Sequence, residues 1–208
     1  MMVKSRLGVL FCLVLGVSGC ANHKVIETDA KFESSVAIKD KSNGIYMAGV
    51  DLANKGNIEG ALKYFYDAEK LDPKNKAILR DISFANYQLG KFSTSLEYAE
   101  KILLLSEYDY FALMRRAFIY QDIGDYEKSV AAFGEVLRYS PDDYVALANI
   151  AQLEFDNKKY EKSMGYIERF EKSVLNISSN ELREQDRYEL RNMKNGMAFI
   201  KNVIKQKL

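Results

Sequence analysis

Four stretches decide the fold: GNIEGALKYF at 56–65, GKFSTSLEYA at 90–99, GDYEKSVAAF at 124–133 and KKYEKSMGYI at 158–167. Each starts 34 residues after the one before. Gly56, Gly90 and Gly124 head the first three, and Lys158 stands in the same place in the fourth. Two residues on come Ile58, Phe92, Tyr126 and Tyr160; five on come the small residues Ala61, Ser95, Ser129 and Ser163. Nine on come Phe65, Ala99, Phe133 and Ile167, and twelve on come Ala68, Ile102, Val136 and Phe170. These offsets keep to one helical face, so each phrase predicts a helix that opens just after the glycine.

The segments ahead of the glycines repeat too. Ile45, Leu79, Leu113 and Leu147 form one column, and Gly49, Ser83, Ala117 and Ala151 form a small-residue column four residues later. A glycine after a first helix can take the left-handed conformation that ends it, a turn expected to be less comfortable at Lys158. Pro73 and Pro141 follow two of the second helices, where proline blocks continuation.

The pattern resembles the tetratricopeptide repeat, a helix-turn-helix unit of 34 residues. It covers residues 42–175 as four repeats, 42–75, 76–109, 110–143 and 144–175. The resemblance implies an all-α solenoid. Some positions depart from it: Arg116 stands in the column of Ala48, Ile82 and Ile150, while Asn86 and Glu154 stand in that of Leu52 and Tyr120. Arg116 is expected to pack its stem while its head reaches solvent or a carboxylate. An array of this kind needs a solvating end. Residues 176–208 supply a capping helix with the stripe Leu190, Met193, Met197, Ile200 and Ile204, a capping box at Ser178-Ser179-Asn180-Glu181, and a bend or break at Gly196.

The N-terminus reads as an address. Lys4 and Arg6 precede an apolar run, Leu7 to Val17, which is too short to span a bilayer as a helix. Val17-Ser18-Gly19-Cys20 resembles the lipobox of bacterial lipoproteins. That resemblance implies a cleaved signal at 1–19, and diacylglycerol and an N-acyl chain on Cys20. Several acyl chains suffice for stable anchoring. Cys12 would leave with the signal, so no disulfide or cysteine-based metal site is expected. Ala21, in place of an aspartate, resembles the outer-membrane case. The expected location is the periplasmic face of the outer membrane in a Gram-negative cell, or otherwise the cell membrane. Residues 20–41, mostly polar after the cysteine, read as a tether with room for a short helix.

The 30 basic and 29 acidic residues become 28 and 29 once the signal is removed. So even a balance argues against nucleic acid as a partner. The one histidine, His23, lies in the tether, so no Ser-His-Asp set, Cys-His set or zinc cluster can be assembled. No enzyme activity, cofactor or metal is expected. Asn176-Ile177-Ser178 matches a glycosylation pattern by chance.

In tetratricopeptide arrays the first helices line a concave groove. The resemblance assigns to it Asn43, Tyr46, Val50 and Ala53; Ala77, Arg80, Phe84 and Tyr87; Phe111, Met114, Phe118 and Gln121; and Val145, Ala148, Gln152 and Phe155. Such a stripe is largely apolar and aromatic, and apolar patches of this kind mark interaction sites. A helix or an extended peptide of a protein partner could dock there, or the tether or last helix could fill it. The groove does not resemble a carboxylate clamp, because only Arg80, with Arg115 nearby, offers charge. The expected function is a lipid-anchored interaction scaffold in assembly of an envelope machine. It is similar to the lipoproteins of tight-adherence (Flp) pili and to secretin pilotins, with a secretin or pilus subunit as partner. An adaptor for peptidoglycan enzymes is the alternative, and a structural lipoprotein with an occluded groove is a third reading.

Overall fold

A computed structural model describes residues 21–175, 177 and 182–207, with side chains described from residue 34. The signal, Cys20, Asn176, Ser178 and the capping box at 178–181 lie outside the described residues. Nine helices and no strand occur among the described residues. They are α1 (Ala21–Asn54), α2 (Ile58–Leu71), α3 (Lys76–Gln88), α4 (Phe92–Leu105), α5 (Tyr110–Asp122), α6 (Tyr126–Tyr139), α7 (Tyr144–Asp156), α8 (Tyr160–Ser173) and α9 (Glu184–Lys205).

The second helices start at Ile58, Phe92, Tyr126 and Tyr160, the column two residues after the glycines. Gly56, Gly90 and Gly124 have φ of 80°, 70° and 77°, and Lys158 alone of the described non-glycine residues is left-handed, at 60°. A side chain in this region costs about 1–2 kcal/mol. The first helices are started by side chains: Asn75, Asp109 and Asp143 accept from the backbone N–H of Ala77, Ala112 and Ala146.

Within each pair the helices meet through the small columns. A Cβ added to Gly49 would lie 2.7 Å from two ring carbons of Phe65. In the other pairs hydroxyls bridge the crossing. Ser95, Ser129 and Ser163 donate to the carbonyls of Ser83, Ala117 and Ala151 at 2.7, 3.1 and 2.7 Å. All three serines are fully buried. Phe65, Phe133 and Phe170 fill the space beside the crossings.

The departures from the repeat are compensated. The mostly buried Arg116 side chain pairs with Glu100 at 3.3 Å and with Glu135. The Asn86 amide donates to the Tyr66 hydroxyl at 3.0 Å, and Glu154 accepts from the Tyr126 hydroxyl. Successive first helices are tied by tyrosines. Tyr46 donates to Asp81 at 2.8 Å, and Tyr87 to Asp122 at 2.5 Å. Burial, reinforced by these carboxylates, pushes both phenols up to about 12.

The two ends hold differences from expectation. Residues 21–41, read as a tether, are helical from Ala21 and continuous with the first helix of repeat one. Residues 34–41 are exposed, and Ser42 is the first buried side chain of the described part, donating to the Ala68 carbonyl at 2.9 Å. At the other end, α9 packs Leu190, Met197, Ile200 and Ile204 against α7 and α8. Gly196 neither breaks nor ends α9, because the helix is carried through it by packing on both sides. The helix begins at Glu184 behind Arg183, which makes no side-chain cap.

Two outcomes follow from this geometry. Lys158→Gly should raise stability by about 0.5–1 kcal/mol, the relief of φ less the added freedom of the unfolded chain. Gly90→Ala should lower it by about 1 kcal/mol, since a Cβ there meets no atom and only the backbone is tested. Urea unfolding followed by helical circular dichroism reads both changes. The raised phenol values set the second outcome. A tyrosine whose folded value exceeds its unfolded value of about 10 contributes stability fully below pH 10. That contribution is lost as pH rises through about 12 for Tyr46 and Tyr87. Phenolate absorbance should therefore show a late-titrating class, and Tyr46→Phe with Tyr87→Phe should remove part of it.

Candidate functional site

The residues assigned to the stripe lie on the first helices α1, α3, α5 and α7, and they are not uniformly exposed. Tyr46 is half-buried, with its ring 5.7 Å from that of Phe65. Phe118 sits edge-on to Phe133 at 5.3 Å, and Phe155 lies 5.8 Å from Tyr160. These rings serve the core as well as the groove. Met114 is buried in the core beside Phe133 and Val136. Met114, like Ala148 of the stripe, therefore offers little surface to a partner. Phe84 stays 42% exposed and is the freest aromatic of the stripe.

The centre of the surface is Arg115, which the repeat columns did not single out. Its guanidinium lies 4.2 Å from the Tyr87 ring, 5.0 Å from Phe84 and 5.1 Å from Phe111. Cations favour the electron-rich faces of such rings, more so when desolvated. Burial holds the guanidinium below its ordinary value. No carboxylate pairs with it among the described residues, and its buried Nε has no hydrogen-bond partner there. Gln121 Oε1, six residues further along α5, is also buried without a partner. Arg80 is different: its head is held by Asp109 at 2.5 Å, with Lys76 at 3.8 Å, although its Nε is unpartnered.

Beside Arg115, towards repeat one, the surface dips. Val50 and Ala53 of α1, Ile58 and Phe65 of α2, and Phe84 of α3 wall an open cavity of about 220 Å³, with Asp81 in its lining. The stripe is thus interleaved with charge: Asp81, Arg115 and Asp122 follow one another along it. The columns missed the two aspartates because they lie one repeat plus one residue from their tyrosines. That spacing of 35, in Tyr46–Asp81 and Tyr87–Asp122, is the signal that could have found them.

The helices that could have folded across the groove lie elsewhere. α9 packs at the end of the array on α7 and α8, and residues 21–41 continue α1. No group of three or more metal-binding side chains occurs among the described residues, and no described helix is long and apolar enough to cross a membrane.

The tetratricopeptide repeat family matches residues 115–173. No curated protein matches the chain by sequence. Among solved structures, the chain is similar to MamA residues 41-end from Desulfovibrio magneticus, with a TM-score of 0.61 at 15% identity, over 80% of this chain and 94% of that one. A tetratricopeptide repeat protein from Parabacteroides merdae gives a TM-score of 0.62 at 18% identity, over 81% and 67%. The first tetratricopeptide domain of Spaghetti (RPAP3), bound to an HSP90 peptide, gives 0.53 at 17% identity, over 58% and 95%. At these identities the likeness is one of fold. The chain is an all-α helix-turn-helix solenoid of the tetratricopeptide repeat kind, carrying that family's sequence across residues 115–173.

Proposed function

We propose that this chain is a lipid-anchored scaffold whose concave face holds a protein partner while a cell-envelope machine is assembled, of the pilus or secretion kind. The observation that carries the binding reading is Arg115. A desolvated guanidinium packed against three aromatic rings has no ion pair among the described residues, and the carboxylate that acts on it, Asp122, is already held by the Tyr87 hydroxyl. A partner segment that brings apolar side chains and a carboxylate suits such a surface, because charge-assisted bonds to arginine are strong and directional. The peptide-bound Spaghetti domain supports the use of this fold to hold a peptide. The anchor reading is supported by the sequence Leu7 to Cys20, immediately ahead of α1.

Two experiments test the two halves. Cys20→Ser should abolish incorporation of labelled fatty acid and leave the signal uncut; a cleaved, membrane-bound and lipid-free variant would refute the anchor. For the scaffold, a photoreactive residue at position 118 should crosslink in the cell to a secretin, a pilus subunit or another envelope protein. Arg115→Gln should reduce that crosslink several-fold while the helical spectrum is unchanged. Crosslinks confined to the chain itself would mean that the aromatic stripe is core.

A further inference from the structure

The cavity at the repeat-one end of the groove is built for a different chemistry from that of Arg115. Its walls are apolar, Val50, Phe65 and Phe84 among them, and its polar lining is Asn54, Asp81 and Gln88. No basic side chain lines it. Asp81 Oδ2 accepts from the Tyr46 hydroxyl at 2.8 Å, which fixes the carboxylate in place. Its other oxygen has no hydrogen-bond or ion-pair partner among the described residues. Arg80, the adjacent cation, is occupied by Asp109. Burial disfavours the charged carboxylate and raises its pKa, so an incoming cation would relieve it.

We propose that this cavity receives a lysine side chain of the partner, with its stem against Val50, Phe65 and Phe84 and its ammonium on the free oxygen of Asp81. The proposal rests on the reading of the concave face as the partner surface. Three observations select this occupant. The size fits one side chain: a cavity of about 150 Å³ already admits benzene, and this one measures about 220 Å³. The apolar walls suit a four-carbon stem, which lysine buries while its head keeps polar company. The charge is complementary, and the carboxamide oxygens of Asn54 and Gln88 at the same cavity can accept further ammonium protons. A partner would then lie across Phe84 with a basic residue at Asp81 and an acidic one at Arg115, so its direction along the groove is fixed by charge.

The test uses the full-length chain in detergent and blocked nine-residue peptides of alanine and leucine with one central lysine. Each is compared with twins carrying norleucine or glutamate at the centre. Affinities are read by fluorescence anisotropy. Lysine peptides should bind at least about tenfold more tightly than norleucine twins, the usual weight of a hydrogen bond to a charged group. Asp81→Asn, which keeps an acceptor for Tyr46, should erase the difference. Val50→Phe, which fills the cavity and leaves the charge, should erase it too, so the conclusion does not depend on one variant folding. Equal binding of lysine and norleucine peptides, or a preference that survives Asp81→Asn, overturns the lysine site and leaves the groove reading intact. If no peptide binds, the site is likewise overturned, and the crosslink at position 118 decides separately whether the face holds a partner.

Discussion

Two helices can cross closely only where both carry something small. In this chain that place recurs four times, and the rest of the solenoid depends on it. Gly49 leaves room for the ring of Phe65, and the buried serines of α4, α6 and α8 meet Ser83, Ala117 and Ala151. The hydroxyl does two things at the crossing. It is small enough to let the backbones approach, and its donation to a helix carbonyl satisfies a polar group that the approach has buried. Close crossings leave room beside them for a large side chain, which Phe65, Phe133 and Phe170 fill in three of the pairs and Ile102 in the other. With the second helices thus fixed behind the first, the first helices α1, α3, α5 and α7 keep one face free of that packing.

That face is less apolar than its list of aromatics suggests. Several rings turn inward and are half spent on the core, as Phe118 is on Phe133. What remains outward is a short sequence of charges set among rings. Its two aspartates are held by tyrosines of the preceding repeat, so the ties between repeats also decide where negative charge stands in the groove. Arg115 lies between them with rings on three sides and no ion pair. Stability and recognition therefore share residues here: a tyrosine that ties two repeats also orients the carboxylate next to a cavity.

The sequence carried the fold because its columns report local and periodic constraints. The start of each second helix, the small crossing and the left-handed turn, including the awkward one at Lys158, were all readable from one offset of 34. The site was less legible. Its pairings run between successive repeats at spacings such as 35 or 29, as Arg80 and Asp109 do, and a column comparison aligns like with like instead of partner with partner. Arg115 was legible only as a charge near Arg80, because its neighbours are rings from two helices, a relation set by the packing angle. At the ends, local composition misled. Polar residues before Ser42 read as a tether with room for only a short helix yet are helical from Ala21, and Gly196 lies within an unbroken helix because Met197 and Ile200 anchor it beyond the glycine.

The length of α1 has a mechanical meaning. Its 34 residues amount to about 50 Å of continuous rod at 1.5 Å per residue. A coil in that place would let the solenoid tumble freely about its base. A rod transmits twist as well as distance, and each residue in it advances the azimuth by about 100°. The number of residues ahead of Ser42 therefore sets the compass bearing of the groove relative to the start of α1. Any component that meets the groove is met from a direction written into the phase of that helix.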